Sequence, residues 1–170
     1  MNSYFLYVGS AYPHKNLDRL ISAINLLKVN LCIASSRDVF TKRLEVNKNK
    51  YVKLLGFVPD NKLKSLYKNS IAFVFPSLSE GFGLPGIEAM KAGTLVLCSD
   101  IPVFREVYKN AAIYFNPLDS NSIIKVLKMA LNLSEFERKS KITYAQKFVK
   151  RYSWHKMVKE TLNVYEKSVY

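Results

Sequence analysis

The stretch IAFVFPSLSEGFGLPGIEAMKAG, residues 71–93, is an apolar run followed by a glycine-rich loop and a segment with helical spacing. The apolar run predicts a buried strand, because it combines aromatic and β-branched residues and carries no charge. Pro85 marks the predicted first position of the helix and Gly93 its end, since proline favours helix starts and glycine favours helix ends. A strand, a loop and a helix start in this order are typical of the ligand-binding edge of a doubly wound sheet.

The three glycines of this loop, Gly81, Gly83 and Gly86, predict a backbone that adopts positive φ and lets a ligand approach closely. The first amides of the following helix are expected to face outward without a partner, which attracts phosphate. Gly81-x-Gly83-x-x-Gly86 also fits the dinucleotide fingerprint, with Glu106 about 20 residues further on. That alternative is disfavoured, because residues 76–80 separate the loop from its strand and this strand is the fourth of the chain.

Short apolar runs alternate with helix-period segments along the rest of the chain. This pattern predicts an α/β fold, a Rossmann-like, doubly wound, mainly parallel six-stranded sheet with helices on both faces and further helices at the C-terminus. The strands are predicted at residues 4–8, 30–34, 51–55, 71–75, 95–99 and 112–115.

Capping residues predict the helices of the C-terminal part. Asp119 and Ser120 can cap one helix, and Ser134 can cap the next with Glu137 as the partner in a capping box. A last helix is predicted from Ser153 to about residue 169, and its apolar stripe is broader than a six-stranded domain is expected to cover.

Length and composition bound the class of protein. With 170 residues and 49% hydrophobic composition, the chain is expected to form one domain, residues 1–170. No apolar run approaches the roughly 20 residues that span a bilayer, and the N-terminus does not resemble a signal peptide, so we expect a cytoplasmic protein.

The net charge of +13 is compatible with nucleic acid, an anionic membrane or a phosphorylated substrate as partner. The lysines are dispersed and form no dense tract, so no nucleic-acid partner is expected. Peripheral association with the inner membrane face stays open.

Two cysteines and the acidic residues bear on metal chemistry. Cys32 and Cys98 lie inside apolar runs and are predicted to be reduced, buried thiols. The sequence has no Asp-x-Asp motif and no His, Cys or Glu cluster at ligand spacing, so no metal site is predicted.

Glu80 and Glu88 bracket the glycine loop at a spacing of eight residues. If the loop folds over a diphosphate, one carboxylate can accept hydrogen bonds from sugar hydroxyls and the other from ribose hydroxyls. A carboxylate beside a helix start can instead serve only to complement the helix dipole, which contributes roughly 0.3 to 1 kcal/mol. The spacing alone leaves both interpretations open.

The run EGFGLPGIEAM, residues 80–90, resembles the signature of glycosyltransferase family 4, in which two glutamates flank a glycine loop of the C-terminal Rossmann-like domain. YVGSAYPHKN at 7–16 resembles the first strand and phosphate loop of that family, and LGFVPD at 55–60 resembles its base-contacting loop. FNPLD at 115–119 and YSW at 152–154 resemble the exit of its sixth strand and the start of its final helix. The resemblance covers nearly the whole chain.

The resemblance implies a retaining, hexosyltransferase-like enzyme of GT-B architecture that uses a nucleotide-diphosphate sugar and needs no metal or other cofactor. It implies catalytic roles for Lys15, which would neutralise the donor diphosphate, and for Glu80, which would bind hydroxyls of the donor sugar. Glu88 would bind the ribose, and the amides from Gly81 to Leu84 would hold phosphate oxygens. The implied donor site comprises Gly9, Ser10, His14, Lys15, Phe57, Val58, Glu80, Gly81, Phe82, Gly83, Leu84 and Glu88.

Two of these positions, Ser10 and His14, depart from the family pattern, and two, His14 and Phe57, carry alternatives. Many members of the family have an arginine where this chain has Ser10, and His14 occupies a place where arginine is frequent. His14 could donate a hydrogen bond to a phosphate or simply face water. Phe57 would line the base pocket with Val58, or it could pack against the protein interior.

In GT-B enzymes the donor domain faces a second domain that supplies most acceptor contacts. The resemblance therefore implies that the acceptor-binding N-terminal domain is absent from these residues, as in an excised fragment or a naturally separate chain, and that the isolated chain has little activity. The alternatives are a noncatalytic nucleotide-binding module and one subunit of a split glycosyltransferase. The acceptor is expected to be a glycan, a lipid or a polysaccharide precursor, and the sequence identifies neither the sugar nor the base.

Overall fold

The computed structural model describes residues 3–47 and 49–168 and contains one six-stranded sheet. All neighbouring strands are parallel, in the order β3-β2-β1-β4-β5-β6. The six predicted strands are confirmed, with ends that differ by one residue at most, at β1 (Tyr4–Val8), β2 (Asn30–Ala34), β3 (Val52–Gly56), β4 (Ala72–Phe75), β5 (Val96–Ser99) and β6 (Ile113–Phe115).

Helices cover both faces of the sheet, which confirms the predicted fold class. The α-helices of the described chain are α1 (Leu17–Leu27), α2 (Val39–Asn47), α3 (Asp60–Asn69), α4 (Leu84–Lys91), α5 (Pro102–Tyr108), α6 (Ser120–Asn132), α7 (Glu135–Val149) and α8 (Trp154–Ser168). On one face α1 packs against α2 and α6, and on the other α4 packs against α3 and α7. No sequence pattern predicts α2 or α5. Among the side chains of α2 whose burial is described, Leu44 is the one large apolar side chain in the buried class, and α5 is only 7 residues long.

The core lies on both sides of the central strands. Phe5 and Leu6 of β1 and Phe73 and Val74 of β4 have no exposed surface. A parallel sheet covered on both faces requires such continuous apolar strands, since neither face of the strand meets water.

Cys32 and Cys98 are buried, unbonded thiols, as the sequence predicts. Burial raises the pKa of both thiols, because the thiolate loses its hydration. Both cysteines therefore act as small apolar side chains of the core.

Helix α4, which follows the glycine loop, begins at Leu84, so Pro85 is its second residue and not its first. The predicted start is wrong by one residue, because Gly83 in a left-handed conformation serves as the N-cap. The helix ends at Lys91, and Gly93 follows with φ of 82°, as expected for a glycine that stops a helix.

The predicted caps Asp119 of α6 and Ser134 of α7 are confirmed, whereas Ser120 is the first residue of α6 and does not cap it. The carboxylate of Asp119 accepts a hydrogen bond from the amide of Asn121. Ser134 and Glu137 form both hydrogen bonds of a capping box. Residue type therefore predicts the starts of these two helices correctly.

Helix α8 has no buried residue. Its apolar stripe is uncovered, as predicted, and Trp154 and Tyr165 are 67% and 65% exposed. The predicted end near residue 169 lies outside the described residues. Within residues 3–47 and 49–168, no helix combines the length and the apolar character needed to cross a bilayer.

Candidate functional site

The strand order reverses between β1 and β4, so the loops that leave these two neighbours diverge to opposite sides of the sheet. Such a switch point opens a crevice at the carboxyl ends of the strands. Here the switch point lies between residues 9–16, after β1, and residues 76–83, after β4, and we call the region that these two loops line the edge cleft. The two loops touch, because the amide of Leu78 donates a hydrogen bond to the carbonyl of His14 over 2.8 Å.

Lys15 and Glu80 meet in the edge cleft. Lys15 Nζ lies 2.6 Å from Glu80 Oε1, and the two side chains are only 14% and 11% exposed. Because little solvent screens this contact, each charge strongly favours an oppositely charged neighbour. The structure thus brings together the two residues predicted as catalytic, and an anion bound by Lys15 would compete with Glu80 for the ammonium group.

Ser77 holds the same carboxylate oxygen as Lys15. Its side chain is fully buried, and its hydroxyl donates a hydrogen bond to Glu80 Oε1 over 2.7 Å. Glu80 is therefore fixed by one cation and one neutral donor. The sequence prediction missed Ser77, although a small polar residue two positions after a buried strand is a signal for the ligand edge of such a sheet.

Two buried tyrosines pin the walls of the edge cleft. Tyr7 Oη donates to the carbonyl of Ser10 over 2.7 Å, and Tyr108 Oη donates to the carbonyl of Gly83. Burial raises the pKa of both phenols, and the negative charge of Glu80 raises it further, so both remain protonated donors. No local pattern predicts the role of Tyr108, because its partner lies 25 positions earlier in the chain.

The glycines of the loop do not share one role. Gly83 has φ of 89°, but Gly81 and Gly86 have no positive φ, so the prediction is wrong for these two. Gly86 lies inside α4 with helical backbone, and it must lack a side chain because Tyr108 occupies the space that a β-carbon would take. At Gly81 a β-carbon would meet no atom within 4 Å.

The backbone amides from Gly81 to Leu84 donate no hydrogen bond to any other described residue. They lie at the start of α4, where the helix dipole adds partial positive charge. The amide of Gly86 is different, because it donates to the carbonyl of Gly83 over 3.0 Å. Four amides and Lys15 thus provide donors suited to phosphate oxygens.

Gly9, Ser10 and His14 are the other residues of the first loop that are predicted to bind the donor. The amide of Gly9 donates to the carbonyl of Ala34 over 3.0 Å, which joins the loop to β2 and leaves that amide unavailable to a ligand. Ser10 is half-buried, and its carbonyl accepts the hydrogen bond from Tyr7. His14 is exposed and stacks on Tyr12, with 6.0 Å between ring centroids.

Phe57, Val58 and Glu88 share no hydrogen bond or ion pair with Lys15 or Glu80 among the described residues. Phe57 is 81% exposed, so the alternative that it packs in the interior is wrong. Glu88 is exposed on α4 and accepts a hydrogen bond from Tyr67 of α3 over 3.4 Å. No contact among the described residues joins Glu88 to Lys15 or Glu80, so the structure brings only the latter two into contact.

Phe82 and Leu84 turn their side chains away from the cleft into a groove between α4 and α8. The groove has a volume of about 500 Å³ and a largely apolar lining that includes Trp154, Met157 and Val164. Only the backbone groups of Phe82 and Leu84 are therefore available to a ligand in the edge cleft. Across residues 3–47 and 49–168, no group of three or more His, Cys, Asp or Glu side chains could hold a metal ion.

Comparison with known proteins gives relatives for most of the chain. Residues 1–148 match the family described as glycosyl transferases group 1. The O-antigen chain mannosyltransferase RfbU of Salmonella typhimurium is 37% identical over 162 residues, which are 91% of this chain and 44% of that protein. The O-antigen chain mannosyltransferase B of Escherichia coli is 32% identical over 174 residues, which are 96% of this chain and 45% of that protein.

Among solved structures, sucrose-phosphate synthase from Thermosynechococcus elongatus superposes with a TM-score of 0.89 at 21% identity. The match covers 98% of this chain and 45% of that one. This chain spans less than half the length of all three relatives. The matched residues 1–148 include the sheet, the Lys15–Glu80 pair and the glycine loop, and the chain belongs to the group 1 glycosyltransferases.

Proposed function

We propose that this chain is the donor-binding part of a retaining glycosyltransferase of family 4 with GT-B architecture, and that a nucleotide-diphosphate sugar binds in the edge cleft without a metal. The observation that carries the proposal is the contact of Lys15 with Glu80 beside the four free amides from Gly81 to Leu84. It combines a cation, a hydroxyl-binding carboxylate and a phosphate-binding backbone at one switch point.

The diphosphate would take the amides from Gly81 to Leu84 and the ammonium group of Lys15. During transfer the bond between the anomeric carbon and the phosphate oxygen breaks, and the electron pair goes to the phosphate. Donors that already point at that oxygen stabilise the developing charge without reorganisation. Tyr108 supports this arrangement from below, because its hydroxyl holds the carbonyl of Gly83.

Glu80 would accept hydrogen bonds from hydroxyls of the donor sugar once the phosphate has taken Lys15. Ser77 keeps the carboxylate in place during this exchange. The acceptor hydroxyl oxygen would then form its bond to the anomeric carbon on the face that the phosphate leaves. Its proton would go to the departing phosphate, which gives retention of configuration.

The nucleoside would extend toward β3. In this proposal Glu88 binds the ribose hydroxyls and exchanges its hydrogen bond with Tyr67 for them. Phe57 and Val58, which follow β3, would contact the base. The high exposure of Phe57 supports this role, because an aromatic ring left in water is available to a ligand.

The sugar and the acceptor are further proposals. The two bacterial relatives are named as mannosyltransferases, so a mannosyl donor is the first to test. The relatives are more than twice as long as the part this chain matches, so we assign acceptor binding to the polypeptide that they have in addition.

Calorimetric titration of the chain tests the proposal. GDP, UDP and ADP are titrated in the presence of a chelator, followed by the corresponding sugars, including GDP-mannose. We expect one nucleotide to bind with a Kd on the order of 1 μM, about −8 kcal/mol. Lys15→Ala and Glu88→Ala should each weaken nucleotide binding about tenfold or more.

Glu80→Ala is the matched comparison. It should leave nucleoside diphosphate binding intact or strengthen it, because Lys15 loses its internal partner, and it should weaken binding of the nucleotide sugar relative to the nucleotide. Equal affinities in all three variants would contradict the site assignment. A chelator-sensitive wild-type affinity would contradict the metal-free proposal.

A second candidate is a nucleotide-binding subunit that is catalytic only with another chain, or not at all. This chain covers only 44% and 45% of the two relatives, and this candidate assigns the remaining part to a separate chain. It predicts the same titration but no sugar transfer. Mixing the chain with the separately produced N-terminal half of a relative, and assaying release of the nucleoside diphosphate with a glycan acceptor, distinguishes the two.

A further inference from the structure

Asn16 follows Lys15 in the first loop, and its side chain is buried among three chain segments. The residue is 8% exposed. Its Nδ2 group donates hydrogen bonds to the carbonyls of Pro76, over 3.1 Å, and Pro117, over 2.9 Å. Its Oδ1 accepts a hydrogen bond from Arg19 over 2.9 Å. One amide therefore ties the loop after β1 to the loops that leave β4 and β6.

The backbone of Asn16 adds a second constraint. Its φ is 56°, in the left-handed region that asparagine tolerates better than most residues. Asn16 is also the N-cap residue of α1, yet its side chain makes no capping hydrogen bond. Asparagine at this position usually caps the helix. The side chain is used instead for the bridge between loops.

The hydrogen bond from Asn16 to Pro76 joins the segment that carries Lys15 to the segment that carries Glu80. Asn16 is bonded covalently to Lys15, and Pro76 is bonded covalently to Ser77, whose hydroxyl holds Glu80 Oε1 over 2.7 Å. The bond from Asn16 to the carbonyl of Pro76, together with the bond from the amide of Leu78 to the carbonyl of His14, therefore sets the distance between the segments that carry the ammonium and carboxylate groups. Two N–H donors for two carbonyls are what an amide provides and a carboxylate cannot.

We propose that Asn16 is a positioning residue of the edge cleft, which holds Lys15 against Glu80 and at the place where the donor diphosphate binds. The part that concerns the diphosphate rests on the proposed function. The part that concerns the Lys15–Glu80 contact does not, since the contact forms without a ligand.

The first test measures the contact without a ligand. Lysines of the full chain are acetylated with an N-hydroxysuccinimide ester, and the rate at Lys15 is divided by the rate at exposed Lys125 in the same molecules. Lys15 should react slowly in the wild type, because it is paired and only 14% exposed. Asn16→Gly, which keeps the left-handed backbone and removes the amide, should raise the ratio several-fold.

Two controls separate positioning from general stability. Leu127→Ala removes core packing in α6, away from the cleft. Even where it lowers the thermal stability as much as Asn16→Gly does, it should leave the labelling ratio unchanged. Arg19→Met removes the donor to the carbonyl of Pro117 and to Oδ1 of Asn16 but keeps both hydrogen bonds that Nδ2 of Asn16 donates, so it should also leave the ratio unchanged. If Asn16→Gly does not fold, Asn16→Asp keeps the left-handed backbone and the acceptor for Arg19 but lacks both donors.

The second test measures affinity. Among GDP, UDP and ADP, the nucleotide that the wild type binds most tightly should bind Asn16→Gly about tenfold more weakly, which corresponds to about 1.4 kcal/mol. Leu127→Ala should bind it like the wild type. Wild-type affinity in Asn16→Gly would overturn the role toward the diphosphate.

An unchanged labelling ratio in Asn16→Gly would overturn the inference whatever the affinities are. A wild type that binds none of the three nucleotides would refute the proposed function instead. The labelling comparison would still decide whether Asn16 positions Lys15.

Discussion

The edge cleft and helix α8 differ in how far their large and polar side chains are withdrawn from solvent. In the cleft, Lys15, Ser77 and Tyr108 are largely withdrawn from solvent, and each has a defined hydrogen-bond partner. On α8, residues as large as Trp154 and Tyr165 are mostly exposed. The difference shows that this chain alone completes the packing of its cleft, whereas the apolar surface of α8 contributes little to the stability of the described structure.

The strongest test of this contrast truncates one large aromatic residue in each region. Phe104→Ala should lower the free energy of unfolding by about 3–5 kcal/mol, because the ring is fully buried between Phe75 and Tyr108. Trp154→Ala should change it by less than about 0.5 kcal/mol, although the removed side chain is larger.

The measurement is urea unfolding followed by far-ultraviolet circular dichroism, since Trp154 is the one tryptophan of the sequence and fluorescence would be lost with it. Comparable losses in both variants would show that α8 is packed as firmly as the core and would remove the contrast.

Two glycines of the same loop sharpen the comparison inside the cleft. Gly83→Ala should destabilise the protein by about 3 kcal/mol, because it combines a strained left-handed backbone with a collision against Tyr108 and Phe104. Gly81→Ala should cost less than about 0.5 kcal/mol, since its β-carbon meets no neighbour. Thermal unfolding of the two variants checks this, and equal midpoints would show that the loop is not pre-organised by Tyr108.

One hydroxyl group in each region gives a smaller effect. Tyr108→Phe removes one of the two donors to the carbonyl of Gly83, which keeps its hydrogen bond from the amide of Gly86, and should cost about 0.5–1.5 kcal/mol. Tyr165→Phe on α8 should cost nothing measurable, because that side chain is 65% exposed to water. Differential scanning calorimetry of both variants tests the pair, and a neutral Tyr108→Phe would mean that the hydrogen bond does not hold the loop.

The smallest effect concerns ion pairs. At the end of β5, Arg105 donates two hydrogen bonds of 2.6 Å to Asp100, and these lower the pKa of that carboxyl. Because the folded pKa lies below the unfolded value, the stabilisation is present above about pH 4 and is lost as the pH falls through the folded value. Both side chains are about half exposed, so solvent screening limits the contribution to about 1 kcal/mol or less.

Asp100→Asn should therefore be less stable than the wild type at pH 7 and equally stable near pH 2. Glu160→Gln, which breaks the 3.7 Å pair with Lys156 on α8, should cost less than about 0.5 kcal/mol at any pH. Unfolding in urea between pH 2 and pH 7 measures both. A difference for Asp100→Asn that grows on acidification would contradict the sign of the pKa shift.

Local patterns account for what the sequence predicts well. Strands such as residues 71–75 and caps such as Ser134 depend on a few neighbouring residues, and the structure has them where they are expected. The edge at which the cleft forms is also predictable, because parallel strands bring their carboxyl ends together. Helix α5 is not predictable from such patterns, since its 7 residues are too few to show a helical period.

Contacts between distant residues explain what the sequence does not show. Three glycines in one loop look equivalent, but the position of Tyr108 makes Gly83 and Gly86 indispensable and leaves Gly81 free. In the same way, Asn16 adjoins a predicted site residue, but its bonds to Pro76 and Pro117 span 60 and 101 positions. No spacing rule reaches that far.

The mutual neutralisation of Lys15 and Glu80 affects how an anion would reach the cleft. Opposite charges 2.6 Å apart form a dipole whose field fades within a short distance, so the net charge of +13 acts on an approaching anion through the dispersed surface lysines. That attraction is screened over about 8 Å at physiological ionic strength. Added salt should therefore slow the association of an anionic ligand far more than it hastens its departure.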